Sequence, residues 1–231
     1  MQLTAHRGFA AEHPENTLTA VRAAARTADE IEVDVRRCGS GELVVFHDDT
    51  LDRVTDGEGF VSDHSIDELR ALSVLGSDEG IPSLREILDV LPPDVTLNAE
   101  LKEEGVAEDA AALAHDVDRP VLFSSFLPEA IDRVSAVSEC PTALVFDDRP
   151  TENVSLAADL GCERVHPHWW LALRTRVIER ASETDLEVHA WTIRHRTTAR
   201  ILRRRGVDGV IADIPIGVSG VRSRRERTDG I

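Results

Sequence analysis

Lysine is almost missing from this chain: of 26 basic residues, Lys102 is the single lysine and the rest are arginine. Positive charge as a whole is short, with 43 acidic residues and a formal net charge of −17. An excess of that size repels nucleic acid and anionic membranes and weighs against both as partners. It also means that an anionic small molecule needs local cations or a metal to bind. Abundant Asp and Glu with so little Lys suits a salt-rich cytoplasm, where screening suppresses self-repulsion, so a halophilic protein that needs molar salt is expected. Cysteine is scarce as well. Cys38, Cys140 and Cys162 are odd in number, far apart and without a C-x-x-C, which excludes a disulfide framework and a cysteine zinc site. Met1-Gln2-Leu3-Thr4-Ala5 is strand-like, with no basic and apolar leader. No run approaches the roughly 18 apolar residues of a membrane span. A cytoplasmic chain without membrane insertion is the expectation.

What is present is alternation. Aliphatic runs near Leu3–His6, Glu30–Val35, Val95–Lys102, Pro120–Ser124, Thr142–Phe146, Arg164–His166, Glu187–Thr192 and Gly209–Ala212 read as strands. Helical patterns separate most of them, at Thr17–Thr27, Ser83–Leu91, Glu108–His115, Pro128–Val137, Thr151–Leu160, Leu173–Thr184 and His195–Arg205. Glu42–His47 is an extra strand that follows the second across Gly39-Ser40-Gly41, a hairpin signal. Eight strand–helix units in 231 residues predict an α/β fold of the (β/α)8 TIM-barrel type, one domain over residues 1–231. No G-x-G-x-x-G follows the first strand, which weakens a dinucleotide-binding alternative. Residues 54–81 break the rhythm and are expected to form a small insertion after the hairpin strand, capping the C-terminal rim of the barrel. The polar stretch 219–231 reads as a solvated tail.

In this fold, chemistry comes from the C-terminal ends of strands. His6-Arg7 ends the first strand, Glu32 and Asp34 end the second, His47-Asp48 ends the hairpin strand, and Glu100 and Lys102 end the next. Glu32 and Asp34 share one strand face, as do Asn98, Glu100 and Lys102 on another. Such an acidic face most often lies in water; two alike suggest a shared polar centre. Three carboxylates without cysteine favour Mg²⁺ or Ca²⁺ over zinc or copper. Two histidines beside them suit acid–base work near neutral pH, and Arg7 with Lys102 supplies a clamp for an anion. The remaining histidines carry less. His13 fits the rim or the surface, His64 and His115 fit the surface, and His166 or His168 could face the pocket. His189 alternates in phase with Trp191 and fits the barrel interior.

The runs Ala5-His6-Arg7-Gly8, Pro14-Glu15-Asn16-Thr17, Ile31-Glu32-Val33-Asp34-Val35 and His47-Asp48 closely resemble the glycerophosphodiester phosphodiesterases. Glu100-Leu101-Lys102, Ser125-Phe126, Trp191-Thr192 and Gly206-Val207-Asp208-Gly209 extend the likeness over almost the whole chain. The resemblance implies a TIM barrel with a small insertion, hydrolysing small glycerophosphodiesters to glycerol phosphate and an alcohol. It implies Glu32, Asp34 and Glu100 as ligands of one divalent cation (Mg²⁺ or Ca²⁺, with Mn²⁺ a further option), and His6 and His47 as the acid–base pair. It further implies Arg7 and Lys102 as phosphate contacts, Glu15 and Asn16 lining the site from the first loop, and Trp191 packing on the substrate. Val54 stands where the family usually has Thr, and Arg194 where Asn is common, which bears on the outer contacts of the substrate. Two alternatives remain. A lysophospholipase D would use Trp169-Trp170 as a hydrophobic wall, and a non-catalytic barrel would bind sugar phosphates.

Overall fold

A computed structural model describes residues 1–217 of the chain; the stretch 219–231 lies outside them. Nine strands form one sheet: β1 Gln2–His6, β2 Glu30–Arg37, β3 Leu43–Val45, β4 Thr96–Leu101, β5 Val121–Ser125, β6 Thr142–Phe146, β7 Arg164–Pro167, β8 Glu187–Ile193 and β9 Gly209–Ala212. Eight are parallel and follow one another as β1-β9-β8-β7-β6-β5-β4-β2, and pairing of β1 with β2 closes the ring. The ninth, β3, pairs antiparallel with the far end of β2, Val35 opposite Val45. The expected barrel and hairpin are both there.

Closure explains the composition of the strands. A barrel strand faces packed side chains inside and helices outside, so β2 is buried along Glu30–Val35 on both faces. The acidic face of β2 is therefore not in water: Glu30, Glu32 and Asp34 are all buried. At the lower end Glu30 meets Arg164 at 2.8 Å and Thr4 at 2.9 Å, which compensates its charge. Higher up, His189 of β8 lies against Gly209 of β9. A Cβ there would come within 2.5 Å of the imidazole, so only glycine lets the ring enter the barrel.

The helices follow their capping signals. They are α1 Leu18–Ala24, α2 Ile66–Arg70, α3 Leu84–Val90, α4 Ala107–His115, α5 Pro128–Val137, α6 Pro150–Asp159, α7 Trp169–Arg174, α8 Val177–Glu183 and α9 Arg196–Arg205. Ser65 with Glu68 and Ser83 with Glu86 form capping boxes at α2 and α3. The pattern over Leu173–Thr184 predicts one helix, and the chain makes two. Thr175 is extended, its hydroxyl donates to the Leu171 carbonyl and accepts from the Val177 N–H, and so it ends α7 and starts α8.

Residues 54–81 also differ from expectation. They hold a 3-10 turn at Val61–Asp63 and helix α2, and close over a second apolar cluster of Cys38, Val44, Phe46, Leu51, Leu69 and their neighbours. None of them lines the cavity at the barrel mouth. The insertion packs on the hairpin, because its apolar residues find partners in Cys38, Val44, Phe46 and Leu51.

Candidate active site

The register of the strands assembles the site. His6 pairs with Glu32 across β1 and β2, and Asp34 pairs with Glu100 across β2 and β4, so groups 94 residues apart in sequence become neighbours. They open on a cavity of about 560 Å³ at the C-terminal ends of the strands. Of the residues expected there, His6, Arg7, Glu15, Glu32, Asp34, His47, Glu100, Lys102 and Trp191 line it. Asn16 does not. It is buried behind Asp34 and donates through Nδ2 to Asp34 Oδ2 at 2.8 Å, so it orients that carboxylate.

The first loop turns sharply to do this. Arg7, Gly8, Phe9 and Asn16 all take positive φ. At Gly8 a Cβ would lie 2.7 Å from the Ala20 Cβ, so the loop can press onto α1 only with glycine. The turn aims the Arg7 N–H at Glu32 Oε2 (3.0 Å) and its side chain at Glu15 (2.8 Å), with Nε 3.1 Å from Asp34 Oδ2 outside hydrogen-bonding geometry.

Glu32, Asp34 and Glu100 each place an oxygen within 4.8 Å of the others. Lys102 contacts two of them, Glu100 Oε1 and, at 2.9 Å, Asp34 Oδ1. Burial, with Asp34 and Glu100 adding to it, pushes the Glu32 carboxyl well above its usual range. Burial acts on Asp34 in the same sense, but Lys102 and Arg7 outweigh it and hold that group well below. Glu32 Oε1 is buried without a hydrogen-bond partner among the described residues, and Asp34 Oδ1 is buried with only the Lys102 ammonium beside it, outside hydrogen-bonding geometry. A buried carboxylate oxygen left unpartnered at Glu32, within an all-oxygen set of three carboxylates, fits a hard divalent cation.

The two histidines share a design. His6 Nδ1 lies 2.6 Å from Asp213 Oδ1, and the other oxygen of Asp213 accepts from Arg194 Nε at 2.8 Å. His47 Nδ1 lies 2.6 Å from Asp48 Oδ1, and the other oxygen of Asp48 accepts from Arg53 Nε. A carboxylate acceptor puts the proton on Nδ1 and leaves Nε2 free to exchange a proton with a ligand. Burial pulls His47 below the usual imidazole range; Asp34 and the Asp48 bond oppose this, while Arg7 and Lys102 reinforce it. Arg53 continues to Glu15, with nitrogens at 2.8 and 3.2 Å from its two oxygens.

Asp213 and Arg53 also line the cavity, beyond the residues singled out from sequence, and so do Arg194, Phe126 and His166, which the sequence marks. Asp213 had a signal: it directly follows β9, where the strand-end rule applies. His166 does face the cavity, with its ring stacked 5.7 Å from His189. Trp191 donates its indole N–H to the His166 carbonyl at 2.7 Å and meets Phe126 edge-on at 5.4 Å. Trp169 and Trp170 flank His168 and do not line the cavity.

Comparison with known proteins gives a consistent result. The model of the glycerophosphoryl diester phosphodiesterase family matches residues 6–216. A glycerophosphodiester phosphodiesterase from Caldanaerobacter subterraneus subsp. tengcongensis is 30% identical over 91% of this chain and 93% of its own. A phosphodiesterase from Oleispira antarctica, solved in complex with the product sn-glycerol-3-phosphate, superimposes with a TM-score of 0.84 at 31% identity, covering 93% of this chain and 94% of that one. A glycerophosphodiester phosphodiesterase from Thermotoga maritima gives 0.81 at 26% identity over 92% and 94%.

Proposed function

The chain belongs to the glycerophosphoryl diester phosphodiesterase family, and from that premise we propose that it hydrolyses glycerophosphodiesters to glycerol phosphate and an alcohol in a metal-dependent reaction. The observation that carries the reading is the pair of Asp-held histidines facing one cavity with the buried Glu32–Asp34–Glu100 set. Glu32, Asp34 and Glu100 would hold one divalent cation, Mg²⁺, Ca²⁺ or Mn²⁺, which when bound supplies charge neutralisation at the phosphate.

The chain's own groups supply the rest. Arg7 and Lys102 bind the phosphate oxygens, Glu15 steadies Arg7, and Asn16 steadies Asp34. His47, kept neutral by burial, takes a proton through Nε2 from the nucleophile, which is water or the glycerol 2-hydroxyl, the latter giving a cyclic phosphate that water then opens to glycerol phosphate. His6 gives its Nε2 proton to the leaving oxygen as the phosphorus–oxygen bond breaks. Each transfer is typically worth about 10²–10⁴ in rate. Trp191 and Phe126 provide an apolar wall for the substrate.

The test is glycerol phosphate release from glycerophosphocholine by metal-stripped protein in molar KCl, with Mg²⁺, Mn²⁺ or Ca²⁺ returned singly. Release restored by an ion supports the reading and names the workable cations. No release from folded protein with any ion would overturn it. A lysolipid substrate has less support, since Trp169 and Trp170 lie outside the cavity. A sugar-phosphate sensor would have no use for two acid–base histidines.

A further inference from the structure

Four cationic side chains line the cavity, and three are neutralised by paired carboxylates. Arg7 meets Glu15 and Asp34, Lys102 meets Asp34 and Glu100, and Arg53 meets Asp48 and Glu15. Arg194 stands apart. Its one carboxylate among the described residues is Asp213, reached through Nε, and Asp213 is shared with His6. The two terminal nitrogens of Arg194 make no hydrogen bond among the described residues. Its side chain is 73% exposed, against 14% for Arg7 and 13% for Lys102. A guanidinium anchored at Nε and open at both ends is a preformed donor fork for a carboxylate or phosphate.

Its place in the ring decides what it meets. The phosphate-binding groups come from the β1, β2 and β4 sector of the mouth. Arg194 directly follows β8, and Asp213 directly follows β9, so the pair lies on the other side of His6. On the proposed mechanism the group that receives a proton from His6 is the leaving alcohol, which places that alcohol on the side of the mouth lined by Asp213 and Arg194. A cationic alcohol is poorly served here. Trp191 and Phe126 offer aromatic surface to a quaternary ammonium, but Lys102 Nζ already sits 6.0 Å from the Phe126 ring centre and Arg194 is three residues from Trp191. An anionic alcohol, by contrast, meets in Arg194 the least neutralised cation of the cavity.

We infer that Arg194 is a specificity-determining residue that selects glycerophosphodiesters whose leaving alcohol carries an anionic group, a phosphate or a carboxylate. The inference rests on the phosphodiesterase reading above and extends it to the alcohol. It assigns a use to positive charge that the fold leaves exposed on an otherwise acidic protein.

The experiment measures kcat/KM of the metal-loaded protein on four diesters of glycerol phosphate. Their alcohols are glycerol phosphate, glycerate, glycerol and choline, so that the first two arms separate phosphate from carboxylate. The wild type should favour an anionic alcohol over glycerol, and glycerol over choline. In Arg194→Gln the anionic-to-neutral ratio should fall about tenfold, the scale of one charge-assisted hydrogen bond at a partly exposed site. Arg194→Lys should recover part of it. A loss by the same factor on all four substrates would overturn the inference and make Arg194 a positioning residue acting through Asp213 on His6. A wild-type preference for the choline diester would overturn it as well. Release from none of the four would instead remove the phosphodiesterase reading, and this inference with it.

Discussion

His6 and His47 face the same cavity, and each has an aspartate on Nδ1 and an arginine on the far oxygen of that aspartate. Beyond the arginines the likeness ends. On the His47 side Arg53 goes on to Glu15, Glu15 to Arg7, and Arg7 to Asp34, so the dyad is one end of a chain that reaches the acidic triad. On the His6 side the chain stops at an exposed Arg194. The closed arrangement fixes a histidine relative to Arg7 and Asp34. The open one leaves a cation for the substrate. On the reading proposed above, the same Asp–His–Arg motif serves alignment in one place and recognition in the other.

The largest loss should follow removal of the histidines themselves. His6→Ala and His47→Ala should each fold normally, as followed by circular dichroism, and each should lower turnover by about 10²–10⁴. Full activity in either variant would end the acid–base assignment. A sharper test separates the two by pH. His47 lies below the usual imidazole range, so it stays deprotonated, and able to accept a proton, in more acidic solution than an exposed histidine. The acid limb of the kcat/KM profile should therefore fall below about pH 6.5. The Asp48 carboxylate raises the His47 pKa, and Asp48→Asn should move that limb to still lower pH, with a loss in rate of about 10–100-fold. Asp213→Asn should leave the limb where it is. A limb that follows Asp213 instead would reverse the roles of the two histidines.

The smallest of these effects should come from Arg53→Gln. It cuts the chain between Asp48 and Glu15 without touching the substrate, so kcat/KM should fall by about tenfold and by the same factor for anionic and neutral alcohols. Unequal factors would mean that Arg53 recognises the alcohol, and the contrast with Arg194 would disappear.

Much of the centre could be read from the chain because strand alternation and the strand-end rule act locally. Glu32 and Asp34 fall on one face two residues apart, and His6, His47 and Glu100 fall at or next to strand ends. Partnerships were harder to see. Asp213 obeys the same rule, yet its bond to His6 depends on β9 lying beside β1, Ala212 opposite Ala5, a register that no local pattern encodes. Arg53 resisted reading for another reason: one flexible side chain gathers three carboxylate oxygens from two loops. Asn16 carried a local motif, but only the fold turns it inward behind Asp34. The insertion misled because its length suggested a cover, whereas its apolar residues are consumed by a cluster on the hairpin.

That cluster ties the fate of His47 to a small annex. Among the strands β3 pairs with β2 alone, and while Leu43 and Val45 join the main core, Val44, Phe46 and the apolar residues of the insertion form a separate cluster. Such a satellite unit can open on its own at a lower cost than the ring of eight strands. Warming should then silence the protein while the barrel is still intact. Amide exchange would register it first in residues 43–81, with the loss of activity tracking that opening and not the melting of the whole.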